Sequence, residues 1–390
     1  MENLKEKRII TPWIINPFLY YSLAWSIALI FYYLSPSKLN IELDGVLLKF
    51  IFITIFISFI VSFEFNRRLK NKIIRIRKIN DNPLILVLLL FLCFLEFLYC
   101  KSVPLFSGSE YSNFGIPTLH VFIVTINCYF VLIHGFQYTI FKNKKDLIKS
   151  LFAIAYFILI FSRGILLFVT SIIIILSLFD KKIKIKHIFV VLVMLIIVSW
   201  LFGILGNIRS GYSWNDSHII LYHSQISYNR YSLFAPFFWV EEYIVCSLRN
   251  LNYNIINFSY DYSFLGFLYS IIPDFLSKRM FNHGINTPNL MVNAFTTSTM
   301  YANVYVNFKY FGMLFNYIIY FIIYFVFVNV KMVDISNKII GFSILSLLFA
   351  FSIFSDMIWY SGYSFVLVYC LIFGIFPSLQ NQIPKIIIKH

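Results

Sequence analysis

Residues 46–63 read VLLKFIFITIFISFIVSF, and residues 64–78 read EFNRRLKNKIIRIRK. The first stretch is apolar and close to the ~20 residues that cross a hydrocarbon core. The second opens a basic loop, 64–82, with seven Lys and Arg. An apolar span ending in a cluster of cations is how membrane helices are oriented, because cytoplasmic loops retain positive charge.

The pattern recurs along the chain. Apolar stretches occupy 14–34, 46–63, 83–100, 118–140, 147–161, 165–179, 188–205, 310–330, 339–355 and 363–377. The fifth and sixth are short, and Ser162-Arg163-Gly164 between them reads as a turn. In alternate loops the N-terminus holds three Lys and Arg, 64–82 seven, 141–149 four and 180–187 four. Residues 331–338 and the C-terminal tail hold two each, which brings one side to 22 of 32. That asymmetry predicts an all-α polytopic membrane protein with about ten transmembrane helices and both termini cytoplasmic.

The composition agrees. Of 390 residues, 60% are hydrophobic and 13% charged, which excludes a soluble domain of ordinary composition. The net charge of +15 does not imply nucleic acid, since most cations sit in short loops between spans. Lys5, Lys7 and Arg8 precede the first span as in a signal peptide, but no small-residue cleavage site follows it. An uncleaved first helix is expected. Cys93, Cys100, Cys128 and Cys370 lie in or beside apolar spans, and Cys246 is alone in a loop. No CxxC or Cys/His cluster points to a metal.

The expected organisation has three parts. Residues 1–205 carry helices one to seven with short loops. Residues 206–309 form one large loop on the outer, periplasmic side. Residues 310–390 carry helices eight to ten and a cytoplasmic tail. The loop includes 232–247 (SLFAPFFWVEEYIVCS) and 263–276 (SFLGFLYSIIPDFL). Each is short and carries acids or Pro, so both read as helices at the membrane surface or folded back over the bundle. A loop this long with its own structure is usually functional.

Five of the ten arginines oppose the topology rule: Arg163, Arg209, Arg230, Arg249 and Arg279 fall in the outer loops. Their presence suggests an anionic ligand, because a guanidinium offers a planar fork for phosphate. Arg163 stands between two spans, near hydrocarbon depth, where charge is costly. Arg209 stands in the stretch Gly203 to Gly211, where two flanking glycines permit close backbone approach. Arg230 and Arg249 lie near Glu241 and Glu242, so ion pairing inside the loop is the competing use. Arg279 follows Lys278 and Pro273-Asp274. Headgroup anchoring is the alternative for the arginines at the membrane face.

Candidate bases on this side are Glu110, Asp216, Glu241, Glu242, Asp261, Asp274, His120, His218, His223 and His283. Asp274 and His283 stand nearest a basic pair. Glu96, near the outer end of the third span, reads as an interhelical hydrogen-bond partner. The loop's many tyrosines suit sugar rings or an interfacial belt. No Walker motif, GxGxxG with an acidic partner, GxSxG or HExxH occurs.

Four stretches give the chain a resemblance to the bacterial O-antigen polymerases, the oligosaccharide repeat unit polymerases. Phe114-Gly115-Ile116-Pro117-Thr118-Leu119-His120 resembles the family's "FGIP.LH" leading into a helix. Phe161-Ser162-Arg163-Gly164 resembles its "SR" turn, and Gly206-Asn207-Ile208-Arg209 its "GNIR" at the start of the long loop. The stretch from Asn293 through Thr296 and Tyr305 to Gly312 is similar to its "N..T…Y.DFG..G". Three departures stand out. Cys246-Ser247-Leu248-Arg249-Asn250-Leu251 replaces "SPL.NL", Asn307 stands for Asp, and Lys309 stands for Gly.

The resemblance implies a glycosyltransferase of the bacterial inner membrane. Such an enzyme moves a growing glycan from undecaprenyl pyrophosphate to a hydroxyl of an incoming lipid-linked repeat, in O-antigen or capsular polysaccharide synthesis. It implies arginines that stabilise the leaving pyrophosphate, and Asp274 or His283 as base. It implies no cofactor and no metal. The implied partners are the lipid-linked oligosaccharide, membrane lipid, and a chain-length regulator and flippase of the same pathway. An O-antigen ligase shares the donor and the topology. A lipid-linked oligosaccharide flippase would instead place charges within its spans and show paired repeats, whereas these spans are nearly uncharged and no repeat is seen.

Overall fold

The computed structural model describes residues 4–79, 83–107, 114–281 and 285–377. The chain is mostly helical. Helices α1 (Pro17–Leu34), α2 (Gly45–Leu69) and α3 (Pro83–Cys100) come first, followed by a single turn, α4 (Pro104–Ser107). Then come α5 (Leu119–Phe141), α6 (Lys144–Leu159), α7 (Arg163–Leu178) and α8 (Ile185–Arg209). The long segment after them holds α9 (His218–His223), α10 (Tyr228–Tyr231), α11 (Ala235–Asn257), α12 (Phe264–Ser270) and α13 (Asp274–Met280). The chain closes with α14 (Ala302–Asn329), α15 (Ile335–Phe351) and α16 (Ser361–Ile375).

Each of the ten expected apolar stretches is a helix. Among the described residues, four helices are long and apolar enough to cross a membrane: Pro17–Leu34, Gly45–Leu69, Leu119–Phe141 and Ala302–Asn329. Shorter apolar helices accompany them.

Local sequence sets the helix starts. Asn16 accepts from Leu19 N ahead of Pro17, and Asp44 accepts from Val46 N and Leu47 N. Asn143 and Asp334 cap α6 and α15 in the same way. A short polar side chain supplies the acceptor that the first helical N–H groups lack. Phe18, Tyr21 and Trp25 of α1 are fully buried, one helical face apart in spacing. Phe18 meets Phe349 of α15, and the Tyr21 hydroxyl meets that of Tyr301 at 2.6 Å. Trp25 Nε1 donates to Ser352 at 2.9 Å, so α1 runs through the centre of the bundle.

The basic segments gather at one end. Lys5 Nζ donates to Ile140 O, Lys7 pairs with Asp180, and Ile10 N and Thr11 N donate to Phe179 O. Val333 N and Asp334 N donate to Gly374 O. At the opposite end the 206–309 segment meets the remaining loops. Ser37 Oγ donates to Ser224 O, Arg279 to Thr118, and Ser361 to Asp274.

Several expectations are corrected. The fold is not all helical: Leu4–Arg8 (β1) and Ile73–Arg77 (β2) pair antiparallel, with Glu6 opposite Arg75. The cause lies in IIRIR, whose Ile74 and Ile76 are buried while Ile73, Arg75 and Arg77 face out, the period of a strand. The turn before α7, the sixth apolar stretch, falls earlier than 162–164. It is made at 160–162, with Phe161 at φ +58°, and Arg163 and Gly164 are already helical. Of the surface segment expected at 232–247, residues 235–247 open a 23-residue helix, α11, and Ser232–Phe234 form a 3-10 turn before it. The segment expected at 263–276 breaks into α12 and α13, because Pro273 cannot continue a helix. The divisions drawn at 205/206 and 309/310 fall inside α8 and α14.

Candidate functional site

The end formed by the 206–309 segment holds the misplaced arginines, and the fold sorts them into three settings. The first lies over α5, α7 and α16. Asp274, at the start of α13, accepts from Ser361 N at 2.8 Å and from its hydroxyl at 2.6 Å. Lys278 Nζ reaches its other oxygen at 3.1 Å. Phe275 packs against Phe122 of α5 and Phe365 of α16 with ring centroids 5.6 and 5.8 Å apart. Arg279 lies over the Phe275 ring at 4.0 Å and donates to Thr118 Oγ1 at 3.0 Å, with its surface exposed. The "FGIP.LH" turn is thereby tied to α13. Arg163 opens α7 beside this patch, next to Gly164, where an added Cβ would lie 3.7 Å from Tyr363 Oη of α16. The Arg163 side chain itself lies outside the described residues.

The second setting joins α8 to the start of α11. Gly203 and Gly206 lie against Pro236 and Trp239, so close that a Cβ on Gly203 would stand 2.1 Å from Pro236 O. Gly203 and Gly206 therefore admit a helix, while Gly211 is open. Asn207 is buried: its Oδ1 accepts from Trp239 Nε1 at 2.8 Å, and its Nδ2 donates to Asp216 O at 2.6 Å. Arg209 ends α8, and its side chain is also outside the described residues. Arg230, on α10, is exposed and stands over Tyr231 at 5.4 Å.

The third setting is internal. Arg249 is 2% exposed and donates to Glu242 at 2.5 Å, to Asn40 and to Ser35. Glu241 lies 3.7 Å away. The competing use foreseen for Arg249 is the one the fold adopts, and its guanidinium has no open face for a ligand. Burial, with the Glu242 charge beside it, pushes the Glu241 carboxyl up to about 7. Burial raises Glu242 as well, and Arg249 works against that rise.

The expected bases are dispersed. Burial would raise Asp274, but hydrogen bonds from Ser361 and Lys278 outweigh it and hold the carboxyl below its usual range. Asp274 is therefore ionised, engaged, and a weak base. His283 and Glu110 lie outside the described residues. Asp216 caps α9 through His218 N at 2.7 Å, and His218 stacks on Tyr228 at 3.9 Å. Asp261 is exposed, and His223 packs edge-on to Phe295. Glu96 is an interhelical partner as expected: it accepts from His120 Nδ1 at 3.0 Å, Ile116 N at 3.2 Å and the Tyr156 hydroxyl. Those contacts fix the turn that holds Gly115 at φ +113°. Among the described residues, no three His, Cys, Asp or Glu side chains gather as a metal site.

Two acids escaped the sequence reading. Asp44 accepts from Tyr310 of α14 at 2.6 Å while capping α2, and its backbone N–H donates to Asn252. Asp356 is 7% exposed, accepts from Tyr320 at 2.7 Å and Asn316 at 2.6 Å, and burial pushes it up to about 7. The polar loop following the ninth span was the only signal for it.

The exit stretch is constrained at several positions. Asn307 binds the backbone of Asn286 on both sides, accepting at 3.0 Å and donating at 2.9 Å. Helix α14 breaks just after it: Phe308 has φ −142°, and Lys309 has φ +52° with ψ −146°. A Cβ on Gly312 would stand 2.3 Å from Val304 O.

No family model, curated protein or solved structure matches the chain.

Proposed function

We propose that the protein polymerises undecaprenyl-pyrophosphate-linked oligosaccharide repeats at the outer face of a bacterial inner membrane. The observation that carries the reading is the exit stretch. Where the resembling family has glycine, at 309 and 312, this backbone makes the demands of glycine: a positive φ at Lys309 and a close carbonyl at Gly312. A backbone suited to glycine at these two positions supports the resemblance. The sorting of the arginines adds support, since Arg279 is exposed at the loop end while Arg163 and Arg209 begin and end helices there.

In this reading about ten helices cross the membrane, with both termini cytoplasmic and the 206–309 segment periplasmic. Arg163, Arg209, Arg230 and Arg279 hold the pyrophosphates of donor and acceptor, and Arg249 holds α11 in place. The acceptor hydroxyl attacks the anomeric carbon as the glycan–pyrophosphate bond breaks. Guanidinium groups near the departing oxygens stabilise the charge that develops there. Asp274 orients α13 beneath Arg279, and the proton goes to His283 or to a second acid of this end.

The test is reconstitution with a purified lipid-linked repeat unit. The proposal expects a ladder of longer lipid-linked glycans. Transfer only after lipid A core is supplied would make the protein a ligase. Movement of labelled lipid across the bilayer with no new glycosidic bond would make it a transporter.

A further inference from the structure

At the end opposite Arg163, Arg209, Arg230, Arg249 and Arg279, helices α2, α14, α15 and the small sheet enclose a cavity of about 460 Å³. That is within the size range of pockets that take organic ligands. Its floor is apolar and aromatic, with Phe65, Phe321, Tyr324 and Phe342. Its rim is cationic, with Arg68, Lys72 and Lys338. Lys338 Nζ is fixed there by bonds to Val328 O at 2.7 Å and Val330 O at 3.1 Å. Lys72 is close enough to act electrostatically on it. The acid on this rim is Glu64, already engaged by Arg67 at 2.8 Å and Arg68 at 2.7 Å. Three cations against one carboxylate leave a net charge of +2 over an apolar hollow.

From this arrangement we infer that the cavity binds an anionic lipid of the surrounding bilayer, its phosphate on Arg68, Lys72 and Lys338 and its hydrocarbon on the aromatic floor. Charge complementarity selects the headgroup, as in basic pockets between membrane helices. The walls select the source. Ile60 and Phe325 line the cavity and are 53% and 57% exposed, on the apolar faces that α2 and α14 turn outward. The opening therefore faces lipid, and a free phosphate would leave the floor empty. The site stands apart from the proposed glycosyl transfer, which lies at the other end.

The test uses the full chain in neutral detergent, with phosphatidylglycerol or phosphatidylcholine of identical acyl chains, read by native mass spectrometry and by Tm. The expected result is preferential retention of phosphatidylglycerol and a higher Tm with it. Removing two exposed charges in R68Q/K72Q lowers that affinity about 25-fold, at about five-fold per cation. V61F, which fills the cavity and leaves the charges alone, lowers retention too. K181Q/K182Q, at the same end but away from the cavity, does not. Equal retention of both lipids, equal loss in K181Q/K182Q, unchanged retention in V61F, or the same Tm rise with inorganic phosphate alone would each overturn the assignment.

Discussion

Lys309 gives the sharpest structural prediction. With φ +52° and ψ −146°, it sits near a region that side chains with a Cβ avoid, within a helix that otherwise runs from Ala302 to Asn329. Such a conformation costs about 1–3 kcal/mol. Its ammonium, 4.7 Å above the Tyr262 ring, returns about 0.5–1 kcal/mol. Lys309→Ala loses that contact and keeps the strain. Lys309→Gly loses the contact, sheds the strain, and adds about 0.5–1 kcal/mol of backbone entropy cost. Taking mid-range values, Gly should exceed Ala by about 1 kcal/mol, or roughly 1–2 °C in Tm for a chain of this size. In an ordinary helix interior the order is reversed, with Gly about 1 kcal/mol worse than Ala. The assay is thermal unfolding of the two variants side by side in one detergent. Lys309→Ala standing above Lys309→Gly would mean that residue 309 is helical, and the link between this kink and the glycine of the family pattern would be lost.

Three other outcomes follow from the same geometry. Arg249→Met should destabilise the protein by about 3–5 kcal/mol by stranding the Glu242 carboxylate, and adding Glu242→Gln should recover much of it; Tm of single and double variants checks this. Gly203→Leu should separate α8 from α11, because even a Cβ would meet Pro236 O at 2.1 Å, and increased proteolysis of the 206–309 segment reports the loss. Glu241 and Asp356 are both raised to about 7, so the folded state holds more protons than the unfolded one between the ordinary carboxylate range and pH 7. Their stabilisation is complete below that window and declines as pH rises through it. Tm should therefore fall from pH 5 to pH 8, and fall less in Glu241→Gln. A rise over that range in the parent protein would contradict the sign.

The helices were legible because most apolar stretches are long and many are bounded by cations or a cap, as at Asp44 and Asn143. The sheet was not, since IIRIR alternates within a segment whose charge alone already explained it as a loop. The arginines were legible as an anomaly but not as a site. One-dimensional spacing placed Arg249 beside Glu241 and Glu242, yet only packing decides that α1 and the 35–44 turn close over them. Of the glycines near Arg209, Gly203 and Gly206 are sites of close approach, but by Pro236 and Trp239 from more than 30 positions on, while Gly211 is open. Asp356 was hidden because its burial depends on Asn316 and Tyr320, contributed by a helix that precedes it.

The central claim is that arginines at the loop end hold a lipid pyrophosphate while glycosidic bonds form. It is tested most directly by placing Arg163→Ala and Arg209→Ala proteins, each inserted into vesicles at the parent level, with purified lipid-linked repeat unit. Loss of a transition-state charge partner costs about 10²–10³ in rate, so both variants should yield no visible ladder where the parent yields one. A full ladder from both would contradict the claim.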